Sequence, residues 1–121
     1  MSEVVETPAV FDPAAVAGLT GHPRDDEFAL VLVQSYLRLL PLRLGRLLAA
    51  LEAEDPDPAM DAVLSLKVSS RTLGAHELGA LAAVVEQQLR LRDLPGAYAA
   101  AAALPPAATR VERVLADHLA V

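Results

Sequence analysis

The chain has 121 residues, 54% hydrophobic but only 3% aromatic, so its core must be aliphatic; Leu and Ala favour helix, and an all-β sandwich or barrel is excluded. There is no cysteine, which removes disulfides, thiolate metal sites and a cysteine nucleophile together, and three scattered histidines (His22, His76, His118) do not compose a metal cluster. Ten basic residues against sixteen acidic ones give a net charge of −6, a sign that opposes broad nucleic-acid binding.

Met1–Val10 is acidic, lacks a hydrophobic period and contains Pro8, so it reads as a flexible tail with no signal-peptide character, ahead of one domain over residues 11–121. The longest uncharged, largely apolar stretch, Leu94–Thr109, is shorter than the ~20 residues of a membrane span and holds three prolines. A soluble, cytoplasmic protein without membrane contact is expected.

Asp12-Pro13 is a helix start, with a side-chain acceptor at the cap and a proline where no amide partner is lost. A short first helix, Pro13 to about Leu19, should end in the turn-rich Thr20-Gly21-His22-Pro23. The second helix opens near Asp25 and Asp26 and shows the apolar stripe Phe28, Leu32, Tyr36, Leu39, Leu40, Leu44, Leu47, Leu48 and Leu51. Gln34, Arg38, Arg43 and Arg46 point in other directions, towards water. Pro41 interrupts this pattern and is expected to kink or divide the helix, because it removes the bond to the Leu37 carbonyl.

Glu52–Pro58 reads as an acidic turn, from which Asp57-Pro58 starts a third helix that ends at Gly74. One side of it carries Ala59, Ala62, Val63, Leu66, Ser69, Ser70 and Leu73; the other carries Asp61, Leu64, Ser65, Lys67, Val68, Arg71 and Thr72. A fourth helix, Ala75 to about Arg92, has Leu78, Leu81, Ala82, Val85 and Leu89 as its stripe, and Asp93–Gly96 breaks it. A fifth segment, Pro95–Ala120, is interrupted at Pro105-Pro106; its second half turns Val111, Val114, Leu115, His118 and Leu119 inward. Short connections between long helices imply antiparallel neighbours, hence an all-α antiparallel four-helix bundle with a short additional N-terminal helix.

On the third helix Leu64, Lys67, Val68 and Arg71 stand at i, i+3, i+4 and i+7 and so form one patch. Two adjacent apolar residues flanked by cations resemble a docking surface, although Leu64 also suits the edge of a wide core stripe.

The stretch from Ala62 to Ala75 resembles the signature of histidine-phosphotransfer (HPt) domains, roughly A-H-x-L-K-G-S-(S/A)-x-x-(L/I)-G-A. Leu66, Lys67, Ser69, Ser70, Leu73, Gly74 and Ala75 match it. The Asp12-Pro13 opening, Pro41 within the second helix and the Leu-rich fourth helix are similar to the family as well. The resemblance implies a four-helix bundle, in agreement with the helix count, and a place in two-component phosphorelay signalling.

The departures from that signature bear on chemistry. Leu64 stands where the resemblance places the phosphorylated histidine, and Val68 where it places a small residue, usually glycine. Phosphohistidine transfer needs an imidazole nitrogen as nucleophile, and leucine has no lone pair. Ser65 points about 100° away. His76 begins the next helix, and His118 lies on an inward stripe, where a histidine usually serves the core. The resemblance gives Lys67 the role of balancing phosphate charge. The chain therefore reads as a non-enzymatic, degenerate HPt-like protein needing no cofactor or metal. Leu64, Lys67, Val68 and Arg71 would bind a response-regulator receiver domain or a histidine kinase, with the protein a monomer or weak homodimer. Two alternatives stand beside this: phosphotransfer through another histidine, or a homo-oligomer packed through Leu64 and Val68.

Overall fold

The computed structural model describes residues 7–20 and 26–119. Six helices follow in order: α1 Pro13–Thr20, α2 Asp26–Glu52, α3 Pro56–Leu73, α4 His76–Arg90, α5 Leu94–Ala101 and α6 Leu104–Leu119. There is no strand among the described residues. His22, Asp25 and the turn around Gly21 and Pro23 lie outside them, as do Met1–Glu6 and Ala120.

The helices close a ring. α2 packs against α3, α3 against α4, α4 against α5 and α6, and these two return to α2. Connections of two or three residues join α2 to α3, α3 to α4 and α4 to α5, and they force antiparallel neighbours. The chain is thus an all-α antiparallel four-helix bundle whose fourth wall is split between α5 and α6, and α1 lies across α2 and α3. Aliphatic side chains fill the centre: Leu40 and Leu47 from α2, Val63 and Leu66 from α3, Leu78 and Val85 from α4, Leu104, Val111 and Leu115 from α6.

Local chemistry accounts for most boundaries. α3 begins one Asp-Pro pair earlier than expected: Asp55 is the cap residue and Pro56 the first helical residue, while Pro58 sits harmlessly in the same amide-free first turn. Its end is Gly74 at φ 98°, with the Gly74 amide donating to the Arg71 carbonyl at 3.2 Å and the Ala75 amide to that of Ser70 at 2.7 Å. No other residue type fits there. Besides the positive φ, a Cβ on Gly74 would collide with the Asp12 carbonyl oxygen, because the Asp12 amide donates to the Gly74 carbonyl at 2.9 Å. The chain leading into α1 is pinned to the same corner: the Glu77 amide donates to the Ala9 carbonyl at 2.8 Å.

Several expectations need correction. Pro41 does not divide α2, which runs unbroken from Asp26 to Glu52. Leu40 and Leu47 on either side of it are fully buried, and their packing offsets the lost bond. Pro105 and Pro106 do not interrupt a helix either; they lie in the first turn of α6, and the break falls before them. α4 stops at Arg90, because Arg92 takes a left-handed φ of 58° ahead of the Asp93 cap on Gly96. Phe28 is exposed and Val33 takes the buried position instead.

His118 and Val114 are exposed rather than turned into the core. Leu115 takes the buried position on this part of α6, and Arg110 pairs with Glu77 at the start of α4. The His118 ring meets the edge of Phe11, at 5.4 Å between centroids. α2 is, among the described residues, the one helix long and apolar enough by composition to cross a membrane; in this fold it lies against α3, α5 and α6.

Candidate functional site

The face of interest is the seam between α3 and α4. α3 buries Ala59, Ala62, Val63, Leu66, Ser70 and Leu73, so Leu64, Lys67, Val68 and Arg71 fall on the flank turned towards α4 and solvent. Leu66 is completely buried, Leu64 half-buried, and Val68 58% exposed. Arg71 is exposed, and its stem lies over Gly79 of α4, where a Cβ would approach Arg71 Cγ to 2.7 Å. All four stand on one flank of α3, as their spacing dictates.

Ser69 and Ser70 serve the helix and the core. Ser70 Oγ and the Tyr36 hydroxyl share a 2.8 Å hydrogen bond inside the bundle, and burial pushes the Tyr36 phenol up. Ser69 donates back to the Ser65 carbonyl at 2.7 Å.

Lys67 departs from expectation. It is not a free rim cation: its Nζ sits 2.5 Å from Oε1 of Glu86 on α4, with only 19% of the Lys67 side chain exposed. The other carboxylate oxygen of Glu86 accepts from Arg90 Nε at 2.8 Å and Nη2 at 2.7 Å. Hydrogen bonds from Lys67 first, and from Arg90 next, hold the Glu86 carboxyl below the usual carboxylate range against the opposing effect of burial. The seam therefore carries three cations (Lys67, Arg71, Arg90) around one sunken anion. Glu86 and Arg90 were missed from sequence. Their i, i+4 spacing was visible as a helical ion pair, but the reach from Lys67 across to α4 has no local signature.

The described histidines stand elsewhere. His76 opens α4, with Nε2 3.8 Å from Asp12 Oδ2, and His118 is on α6, which lies across the ring from α3. Neither reaches the flank of Leu64. No group of three or more His, Cys, Asp or Glu side chains suited to a metal occurs among the described residues. Leu64 and Val68 give the seam an apolar centre, and Lys67, Arg71 and Arg90 stand around it.

Comparison with known proteins gives one match. No curated protein and no solved structure matches the chain, whereas the family model for the Hpt domain matches residues 31–118. That span takes in most of α2, all of α3, α4 and α5, and α6 almost to its end. Bundle, seam and match agree, and the chain belongs to the Hpt domain family.

Proposed function

We infer that the chain takes the part of an Hpt domain in phosphorelay signalling, where such domains interact with receiver domains and kinases. We propose that this member binds a response-regulator receiver domain, or a histidine kinase, without accepting a phosphoryl group. The observation that carries the reading is Leu64, at the place in the family signature where the phosphoacceptor histidine stands, on the solvent-facing flank of α3. Phosphoryl transfer to this family breaks the bond between phosphorus and the receiver's aspartyl oxygen and forms one to an imidazole nitrogen. A leucine side chain has no electron pair for that bond.

Binding does not need the nucleophile. Leu64 and Val68 supply an apolar centre, and Arg71 and Arg90 supply positive charge beyond what Glu86 neutralises in Lys67. Receiver domains present an acidic pocket with an apolar surround, which this surface complements. On this reading the protein works in the cytoplasm, where it competes with or sequesters a relay partner and transfers nothing itself.

The test pairs two measurements on the purified chain. Titration against receiver domains from the same genome should give saturable binding that Val68→Glu and Arg71→Glu weaken at least tenfold. Incubation with a phosphorylated receiver should leave no acid-labile phosphate on the chain. Stoichiometric phosphohistidine at His22, His76 or His118 would overturn the proposal.

A further inference from the structure

The outer face of α2 carries an arrangement that neither the core nor the α3–α4 seam uses. Arg38, Gly45 and Glu52 are seven residues apart, about 10 Å along the axis at each step, and fall on nearly one line of the helix. All three are exposed, and Arg38 and Glu52 have no ion pair among the described residues. To one side of the line, towards α3, stand Leu42, 62% exposed, and Ala49, exposed. To the other, towards α5, stand Pro41, exposed, and Leu48, half-buried in an open apolar groove beside Tyr98.

We infer that this face pairs two copies of the chain, antiparallel, about a two-fold axis at Gly45. The distances from Gly45 are matched: Arg38 lies seven residues before it and Glu52 seven after, Leu42 three before and Leu48 three after, Pro41 four before and Ala49 four after. A two-fold operation reverses height and preserves side. It sets Arg38 level with the second copy's Glu52 and Glu52 level with the second copy's Arg38. It also sets Leu42 near the height of the second copy's Ala49 on the α3 side, and Pro41 near that of the second copy's Leu48 on the α5 side. A second copy brings each of the two unpaired charges level with its opposite, and this self-complementarity makes it the occupant.

Gly45 fits the same reading. In the single chain a Cβ at this position would meet nothing within 4 Å, so no contact inside the bundle calls for a glycine in mid-helix, where it is unfavourable. At a two-fold axis its bare backbone lets the helices approach closely. A bilayer is a poorer occupant for this otherwise apolar helix, since Gln34, Arg38 and Glu52 run along the exposed line. α4 lies across the ring from α2, so pairing here leaves the α3–α4 seam open on both copies.

Sedimentation of the full chain up to about 1 mM should show a concentration-dependent dimer that weakens with salt. Gly45→Arg should melt no lower than wild type and raise the dimer dissociation constant at least tenfold. Arg38→Glu should do the same, and Arg38→Glu with Glu52→Arg should restore pairing. A monomer throughout that range overturns the inference, as does a dimer that survives Gly45→Arg but is lost in Val68→Glu. Flotation of the wild type with neutral phosphatidylcholine vesicles in place of dimer formation overturns it in favour of a lipid-facing helix.

Discussion

Glu86 is the most sharply testable residue in the seam. Its side chain is only 10% exposed, and both carboxylate oxygens are engaged, one by Lys67 and one by Arg90. Glu86→Gln removes the charge while keeping the shape. The Arg90 bridge is largely solvated, with 56% of that side chain exposed, and contributes a few tenths of a kcal/mol to about 1. The Lys67 bridge is mostly out of water; a hydrogen bond between charged groups there is worth about 1.5–3 kcal/mol, and losing it strands a half-buried cation. Glu86→Gln should therefore cost about 2 kcal/mol, and Lys67→Met with Glu86→Leu should recover most of it, because both charges leave together. The assay is urea unfolding of wild type, Lys67→Met, Glu86→Leu and the double variant, read as a coupling energy, with Glu86→Gln measured beside them. The pH dependence has a fixed sign. The Glu86 carboxyl is lowered in the fold, so its stabilisation is complete above the unfolded carboxylate range and is lost as pH falls through the folded value. The gap between wild type and Glu86→Gln should thus be full at pH 7 and close in acid. A coupling below about 0.5 kcal/mol, or a gap that widens on acidification, would refute the account of the seam.

Leu66→Ala removes a fully buried side chain and should cost about 2–5 kcal/mol, while Leu64→Ala at the half-buried flank should cost well under half as much; equal losses in urea melts would mean that the face of α3 is misassigned. Placing an imidazole at position 64 is the other direct check of the proposed function. Leu64→His should gain at most weak phosphorylation from a phosphorylated receiver, because Val68 still crowds the incoming aspartyl phosphate and a displacement near 1 Å costs ~10²-fold in rate. Adding Val68→Gly should raise the rate further. A folded double variant that binds the receiver yet takes no phosphate would show that the docking pose differs from the family's.

What could be read from sequence was whatever local chemistry decides. The aliphatic composition, the 3.6-residue stripes and the glycine stop at Gly74 were enough for the helices and their antiparallel order. The sequence places the start of α3 at the later of two Asp-Pro pairs, whereas the earlier one prevails, with the Asp55 carbonyl accepting from the Ala59 amide at 3.2 Å. The prolines were legible only in part: Pro41 leaves α2 undivided, because packing that the sequence does not display offsets the lost bond, and the break expected at Pro105-Pro106 falls just before them. His118 follows the apolar period of α6 in sequence, yet it is exposed against the edge of Phe11. Lys67 was read as a surface cation because Glu86 is nineteen residues away on another helix.

The same distinction explains what the signature match carries. Of the residues that agree with the family pattern, Leu66, Leu73 and Ala75 are buried, Ser70 is buried against Tyr36, and Gly74 supplies the left-handed turn that receives Asp12. Ser69 is tied to its own helix, and Lys67 is tied to α4 through Glu86. Each is held by a contact within the bundle that would be needed whether or not a phosphoryl group ever arrived. The two positions that depart, Leu64 and Val68, are the two that face outward with no polar partner to satisfy. A pair of apolar side chains on a solvated flank, beside cations whose one anion is already spoken for, is consistent with a surface kept for a protein partner, and the receiver titration measures whether it is one.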